Sequence, residues 1–311
     1  MEKIIIDSGS LDLHKTFPYR IAWFNDIHVG GQMALWPRNF VSDAGNPLLP
    51  NEGQLKLLEY FDDFIKNCND NKVNILAIPG DLIAGQNLKE LGKFMITASI
   101  EDQKRACVEL IADFCERIPT ITEVWMWVGT PYHTVKGTTI EQDIASDLRA
   151  DYGINAKYMG EYSIIRLIYG EYEKRIFVTH PSSGAWMYPE AAMGRDMLIW
   201  QEGVATKKLP HVDMIVRAHK HFFTEVHKPH QRAIQLPCWQ FFVPYDGALK
   251  NFARYQPDIG SVIMLFDEKL RATVWHFIYD NIIDPKRYIT VYNPKDVEEI
   301  CLSKKSPNEQ I

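Results

Sequence analysis

The chain has 311 residues, 46% hydrophobic and 24% charged, with a formal net charge of −6 and a pI near 5.9. That is an ordinary globular composition, long enough for one large α/β domain or two small ones. The acidic balance argues against tight non-specific duplex binding, leaving room for a local basic groove or a metal cluster that carries the positive charge.

Taken in chain order, "MEKIIIDSGS" holds an apolar run too short for a signal peptide and flanked by acidic residues. No run approaches the roughly 18 apolar residues of a membrane span. The five cysteines (68, 107, 115, 238, 301) form an odd set without a CxxC pair, which reads as a reduced, intracellular protein. A cytoplasmic location is therefore expected.

"RIAWFND" (20–26) reads as a first core strand, followed by a Gly- and Pro-rich loop over 29–50 without a clean period. Residues 51–70 carry Leu55, Leu58, Phe61, Phe64 and Ile65 at helical spacing behind Asn51, a candidate N-cap. "VNILAIPGD" (73–81) is a second strand, 98–118 an amphipathic helix and "ITEVWMWVG" (121–129) a third strand. This β, loop, α, β, α, β order implies parallel strands with crossover helices and a ligand site at the strands' carboxyl ends.

A helix over 139–151 follows, after which the texture changes. "EYSIIRLIYG" and "KRIFVTH" read as a hairpin, "AMGRDMLIWQEGVA" as a helix, and "VDMIVRAHKHFFTEVH", "RAIQLPCW", "GSVIMLFD" and "LRATVWHFIYD" as strands. A single domain over 1–283 and a polar tail over 284–311 are expected.

Asp and His residues mark the ends of these strands. Asp26-Ile27-His28 ends the first, Gly80-Asp81 the second, His133 follows the third, and His180 ends "VTHP". His219 and His221 stand two apart, on one face if that segment is extended. A lone Asp-x-His is most often a surface turn, Gly-Asp an ordinary turn, and a single His a structural residue. The ordered set is what carries weight, because carboxylates and imidazoles gathered at one rim are costly unless they bind cations. Carboxylate bridging with imidazole outside suits two divalent ions, Mn²⁺ first, with Zn²⁺, Fe or Ni also fitting. His14, His211, His227, His230 and His276 lie outside the set and read as surface or core residues.

The order Asp26-x-His28, Gly80-Asp81, Gly129…His133, His180, His219-x-His221 resembles the calcineurin-like metallophosphoesterase family over residues 20 to 280. The resemblance implies an α/β fold, a four-layer α-β-β-α sandwich of two mixed β-sheets flanked by helices. It also implies roles. Asp26, His28 and His221 would hold a first metal, Asp81 would bridge, and His180 and His219 would hold a second. The family's third block is usually Gly-Asn-His, in which Asn ligates the second metal and His assists the leaving group. Here it reads Gly129-Thr130-Pro131-Tyr132-His133, with Thr in place of Asn and the His two residues late. Three readings follow: His133 keeps the acid role, His133 becomes a ligand of the second metal, or the site is degenerate.

The implied activity is metal-dependent phosphoester hydrolysis, by attack of a hydroxide shared between the ions. "NDIHVGG" and "GDLIAGQ" lack the pattern of the protein-phosphatase branch, and the absence of a leader speaks against the secreted acid-phosphatase branch. The phosphodiesterase and nuclease-like branches, which include proteins of phage genomes, remain, with a nucleotide or DNA substrate and no membrane partner. A phosphomonoesterase, or a non-catalytic metal-binding interaction module, is the alternative. In the 29–50 loop, Trp36 could stack on a base and Arg38 pair a phosphate, or both could pack the loop onto the body. Lys136 and Arg217 adjoin motif residues and could add charge, or be solvated surface.

Overall fold

A computed structural model of the chain describes residues 18–86, 92–133, 139–181, 189–243 and 256–281. In chain order its first half contains β1 (Arg20–Trp23), β2 (Phe40–Val41), β3 (Pro47–Leu48), α1 (Glu52–Asp70), β4 (Ile75–Pro79), α2 (Ile100–Arg117), β5 (Glu123–Trp127), α3 (Ile140–Tyr152) and β6 (Ala156–Tyr158). The second half contains β7 (Tyr162–Tyr169), β8 (Tyr172–Thr179), α4 (Pro189–Ala205), β9 (Met214–Arg217), β10 (Thr224–Lys228), β11 (Gln231–Gln235), β12 (Ile259–Phe266) and β13 (Ala272–Tyr279).

The strands form a six-stranded sheet, β13-β12-β1-β4-β5-β6, and a five-stranded sheet, β10-β11-β9-β8-β7. β1, β4, β5 and β6 run parallel, as the β-α-β order requires, while β12 and β13 join antiparallel. The second sheet is also mixed: β8, β9 and β11 are parallel, with β7 and β10 antiparallel at the edges.

Residue alternation on these strands sorts the core into layers. Ile21, Trp23, Ile75, Ala77, Trp125 and Trp127 face Ile165, Leu167, Ile176, Val178, Met214 and Val216 of the other sheet. Their neighbours Ala22, Phe24, Leu76, Ile78, Val124 and Met126 turn the other way, against Phe61 and Phe64 of α1, Leu110 and Phe114 of α2, and Ile144 of α3. On the far side, Met193, Met197 and Trp200 of α4 cover Ile215, Phe177 and Ala233. The architecture is therefore helix, sheet, sheet, helix, the four-layer sandwich that the family resemblance implies.

α1 begins where the sequence indicated. The Asn51 side chain accepts from the Gln54 amide, and the Gln54 side chain accepts from the Asn51 amide, a reciprocal capping box. Its buried stripe runs through Leu57, Leu58, Phe61, Phe64 and Ile65, whereas Leu55 is exposed. The 29–50 loop folds a two-residue hairpin, β2–β3, over the helices. Trp36 is fully buried there and donates to the Leu48 carbonyl at 2.7 Å, so it is core and cannot stack on a base. Arg38 pairs with Asp62 of α1 at 2.6 Å, beside a groove lined by Asp113 and Arg117, and is likewise committed. Lys136 and the tail over 284–311 lie outside the described residues.

Candidate metal centre

The parallel strands β1, β4 and β5 end at one rim, and the chain leaves each through tight backbone. Asp26, His28 and Asp81 all have φ of 49°, and His219 and His221 have 75° and 60°. Left-handed backbone is uncommon outside glycine and costs on the order of 1–2 kcal/mol per residue, less for Asp. Its concentration at five of the motif residues marks a site whose side chains are aimed by the surrounding hydrogen bonds. Those bonds zip the first two loops together: the Asp26 amide donates to the Gly80 carbonyl at 3.2 Å, that of His28 to Asp81 at 3.1 Å, and that of Val29 to Leu82 at 2.9 Å.

His219 and His221 do not lie on a strand. β9 stops at Arg217 and β10 starts at Thr224, and the two histidines occupy the irregular connection between them. They share the site because the left-handed turns redirect them, so the premise of extended alternation is corrected. The His219 amide donates to Asp26 Oδ2 at 3.0 Å, and the Ala218 amide to the His180 carbonyl at 3.1 Å, which fastens this connection to the rim.

Each carboxylate has one oxygen occupied and one aimed inward. Asp26 Oδ2 accepts from Asn25 Nδ2 at 2.5 Å and from the His219 amide, while Oδ1 is buried without a hydrogen-bond partner. Asp81 Oδ1 accepts from the Thr130 amide at 2.6 Å and the Thr130 hydroxyl at 3.1 Å. Asp81 Oδ2 lies 2.9 Å from His180 Nε2, 3.8 Å from His219 Nδ1 and 3.9 Å from His133 Nε2. Around Asp26 Oδ1, His221 Nε2 stands at 3.3 Å and His28 Nε2 at 3.8 Å, with the two imidazole nitrogens 3.0 Å apart.

These spacings suit a shared cation. Bonds of about 2.1 Å separate a cation's ligands by roughly 3–3.5 Å. Three donor groups arise: Asp26, His28 and His221; His28, Asp81 and His133; Asp81, His180 and His219. The outer nitrogens are tied down as metal-ligating histidines require, His180 Nδ1 to the Pro79 carbonyl at 2.5 Å and His133 Nδ1 to that of Ala84 at 3.0 Å. Asp26 Oδ1, buried without a hydrogen bond, and the inward pair of His180 Nε2 and Asp81 Oδ2, 2.9 Å apart, are the atoms a cation would satisfy.

Charge compensation points the same way. Burial opposes ionisation of Asp26, yet His180 and His221 hold it down at about 2. Asp81 is buried too and is held well below the usual range by His180 and His133. Burial would depress His180, but Asp81 and Asp26 override it and raise it to about 9. His28, pressed by burial and by the neighbouring His133 and His221, lies well below its ordinary value. The two buried carboxylates thus draw positive charge, which protons on imidazole or bound cations can supply, and cation binding would release protons.

Two further residues support the centre, of which sequence patterns singled out Gly129, as the head of the third block, but not Glu141. Glu141 is fully buried in the first turn of α3 and accepts from the Gly129 amide at 3.0 Å; burial pushes its carboxyl up to about 7. Its signal was an acid on the apolar stripe of Ile140, Ile144, Ala145 and Leu148. Gly129 is the second: a Cβ there would meet Asp81 Oδ1 at 2.2 Å. Arg217 is neither solvated nor turned to the centre. It pairs with Asp196 of α4 at 3.1 Å and donates to the Pro181 carbonyl at 2.9 Å. His211, His227, His230 and His276 are exposed, His276 stacking on Phe223, and His14 lies outside the described residues.

No protein-family model matches the chain, and a search of curated proteins finds no match. Among solved structures it is similar to an archaeal phosphodiesterase (12% identity, TM-score 0.41, covering 83% of this chain and 99% of that one). It is also similar to a zinc complex of Vps29 from Entamoeba histolytica (10%, 0.36, 84% and 99%). A putative 5'-nucleotidase from Staphylococcus aureus is a third (10%, 0.38, 91% and 58%). In its four layers and in the order and rim placement of its Asp and His blocks, the chain is similar to the calcineurin-like metallophosphoesterases.

Proposed function

We propose that the chain is a metal-dependent phosphoesterase, a phosphodiesterase acting on nucleotide or nucleic-acid esters. The observation that carries this reading is the convergence of two donor trios on one rim, with Asp81 a member of one and grouped with His28 of the other. Asp26, His28 and His221 would hold one divalent ion and His180 and His219 another, with Asp81 between them. Ions so placed would lower the pKa of a shared water and neutralise the phosphoryl oxygens.

The chain's own residues do the rest. Thr130 and Asn25 keep the outer carboxylate oxygens occupied, so the inner ones stay aimed. His133 has its Nδ1 on the Ala84 carbonyl, so it presents Nε2 to the site, and its ring sits 4.4 Å from that of His28. It groups with His28 and Asp81 and not with the Asp81, His180 and His219 trio, which favours the acid role over ligation of the second ion. With a proton on Nε2 it would donate to the leaving alkoxide. The side chains of His219, His221 and His133 are 34%, 26% and 20% exposed against none for His180, so substrate approaches from their side. A cytoplasmic setting and a nucleotide or DNA partner belong to the same proposal; no described helix is long and apolar enough to cross a membrane.

The test is a panel of bis-p-nitrophenyl phosphate, p-nitrophenyl phosphate, cyclic nucleotides and single- and double-stranded DNA with Mn²⁺. Diester turnover above monoester turnover is expected. Metal uptake with no turnover on any substrate refutes the enzyme and favours a binding module.

A further inference from the structure

We infer that Gln103, in the first turn of α2, is a positioning residue for His133 and acts through the peptide that joins Ala84 to Gly85; this rests on the acid role given to His133 above. One planar peptide carries both ends of the connection. Its N–H, from Gly85, donates to Gln103 Oε1 at 2.9 Å, and its C=O, from Ala84, accepts from His133 Nδ1 at 3.0 Å. The N–H and C=O of a trans peptide point in opposite directions, so fixing one aims the other.

The next peptide is held as well. Gln103 Nε2 donates to the Gly85 carbonyl at 3.0 Å and to that of Thr97 at 2.9 Å, so both of its amide hydrogens are used. Gly85 needs this restraint. The third block packs so closely on it that a Cβ would lie 3.0 Å from the Tyr132 carbonyl oxygen and 3.1 Å from the His133 Cα. A side chain is therefore excluded, and the glycine that results, with a φ of 73°, has the freedom to flip its peptides. A flip would turn the Ala84 carbonyl away from the imidazole. Gln103 cannot move aside in turn. It is fully buried, and its Cγ and Cδ lie so near Gly30 that a Cβ there would meet them at 2.5 Å and 2.6 Å. With Nδ1 committed to Ala84, His133 keeps Nε2 toward the site; without the carboxamide the ring is free to change tautomer and to swing from the leaving group.

The experiment uses the full chain, loaded with Zn²⁺ for spectroscopy and with Mn²⁺ for kinetics. The variants are Gln103→Met, which fills the same space without hydrogen-bonding groups, Gln103→Glu, His133→Ala, and Gln103→Met combined with His133→Ala. Circular dichroism confirms that each is folded; if Gln103→Met is not, Gln103→Leu takes its place. In ¹⁵N spectra of the imidazole rings, His133 is assigned by its loss in His133→Ala. Its neutral form should carry the proton on Nδ1 in wild type and in Gln103→Glu, which keeps an oxygen for the Gly85 amide. Gln103→Met should show a mixture of tautomers. It should also lower kcat on a phosphodiester roughly 10- to 100-fold, but less than about twofold where His133 is already Ala. An unchanged tautomer in Gln103→Met, or equal losses of kcat in both backgrounds, overturns the inference. If no diester is turned over, the phosphoesterase reading falls and the tautomer decides the inference by itself.

Discussion

Replacing Gly129 by Ala adds one methyl group at the most crowded point of the rim. The new Cβ would lie 2.2 Å from Asp81 Oδ1, 2.3 Å from the Asp81 amide nitrogen and 2.9 Å from its Cα. Relief to ordinary contact distance requires a shift of about 1 Å, and Asp81 cannot shift alone because Thr130 holds its Oδ1. Gly80 sits on the other side, so closely that a Cβ on it would meet the Gly129 Cα at 2.7 Å. Overpacking of this kind costs about 1–3 kcal/mol, or roughly 2–10 °C in Tm. A misplacement of about 1 Å at a reacting centre costs roughly 100-fold in rate. Gly153→Ala is the control: its φ of 67° makes Ala strained, but its Cβ meets nothing within 4 Å. It should lose about 1 kcal/mol while leaving metal binding and turnover intact. Differential scanning calorimetry, Mn²⁺ titration and hydrolysis of bis-p-nitrophenyl phosphate read the three quantities. If Gly129→Ala binds two ions and turns over like wild type, the reasoning that ties this glycine to the aim of Asp81 is wrong.

Other expectations follow from the same geometry. Asp81→Asn removes the anionic oxygen that the two proposed ions would share and should bring turnover to background; an active variant would defeat the proposed mechanism. His133→Ala should keep both ions yet lower kcat by roughly 10²–10⁴. Loss of an ion with it would instead make His133 a ligand. Saturating Mn²⁺ at about 100 times Kd should raise stability by about 2.7 kcal/mol relative to the stripped protein, seen as a higher Tm. On the β7–β8 hairpin, Arg166 and Arg175 lower the Glu173 carboxyl to about 2. A depressed carboxylate stabilises above its unfolded pKa near 4.5 and loses that stabilisation as pH falls toward 2. Glu173→Gln should therefore be less stable by up to about 1 kcal/mol at pH 7, with the gap closing between pH 4.5 and 2. A gap that persists at pH 2 would exclude charge as its origin.

Much of this molecule is written locally. Periodicity and the Asn51 cap located α1 to within a residue, because an N-cap and an apolar stripe are set by neighbours three and four positions away. The apolar runs of β1, β4 and β5 likewise follow from strands buried on both faces, and the ordered Asp and His blocks at their ends are legible in the sequence. β6 and the β2–β3 hairpin were missed, being two or three residues long and carried by pairing rather than by propensity.

The sequence by itself therefore determined the chain order of the blocks and the strand ends where they stand, while the four layers entered only as what the family resemblance implies. Only tertiary structure decided which atom of each block faces inward. His28 meets His221 across 193 positions and Thr130 meets Asp81 across 49, contacts that no local pattern encodes. The same holds for Trp36, which became core, for Arg38, which was taken by Asp62, and for His219 and His221, which left the strand. A side chain's periodicity reports its own backbone. Whether it is free to bind depends on which partner reaches it first, and that is settled when distant segments pack.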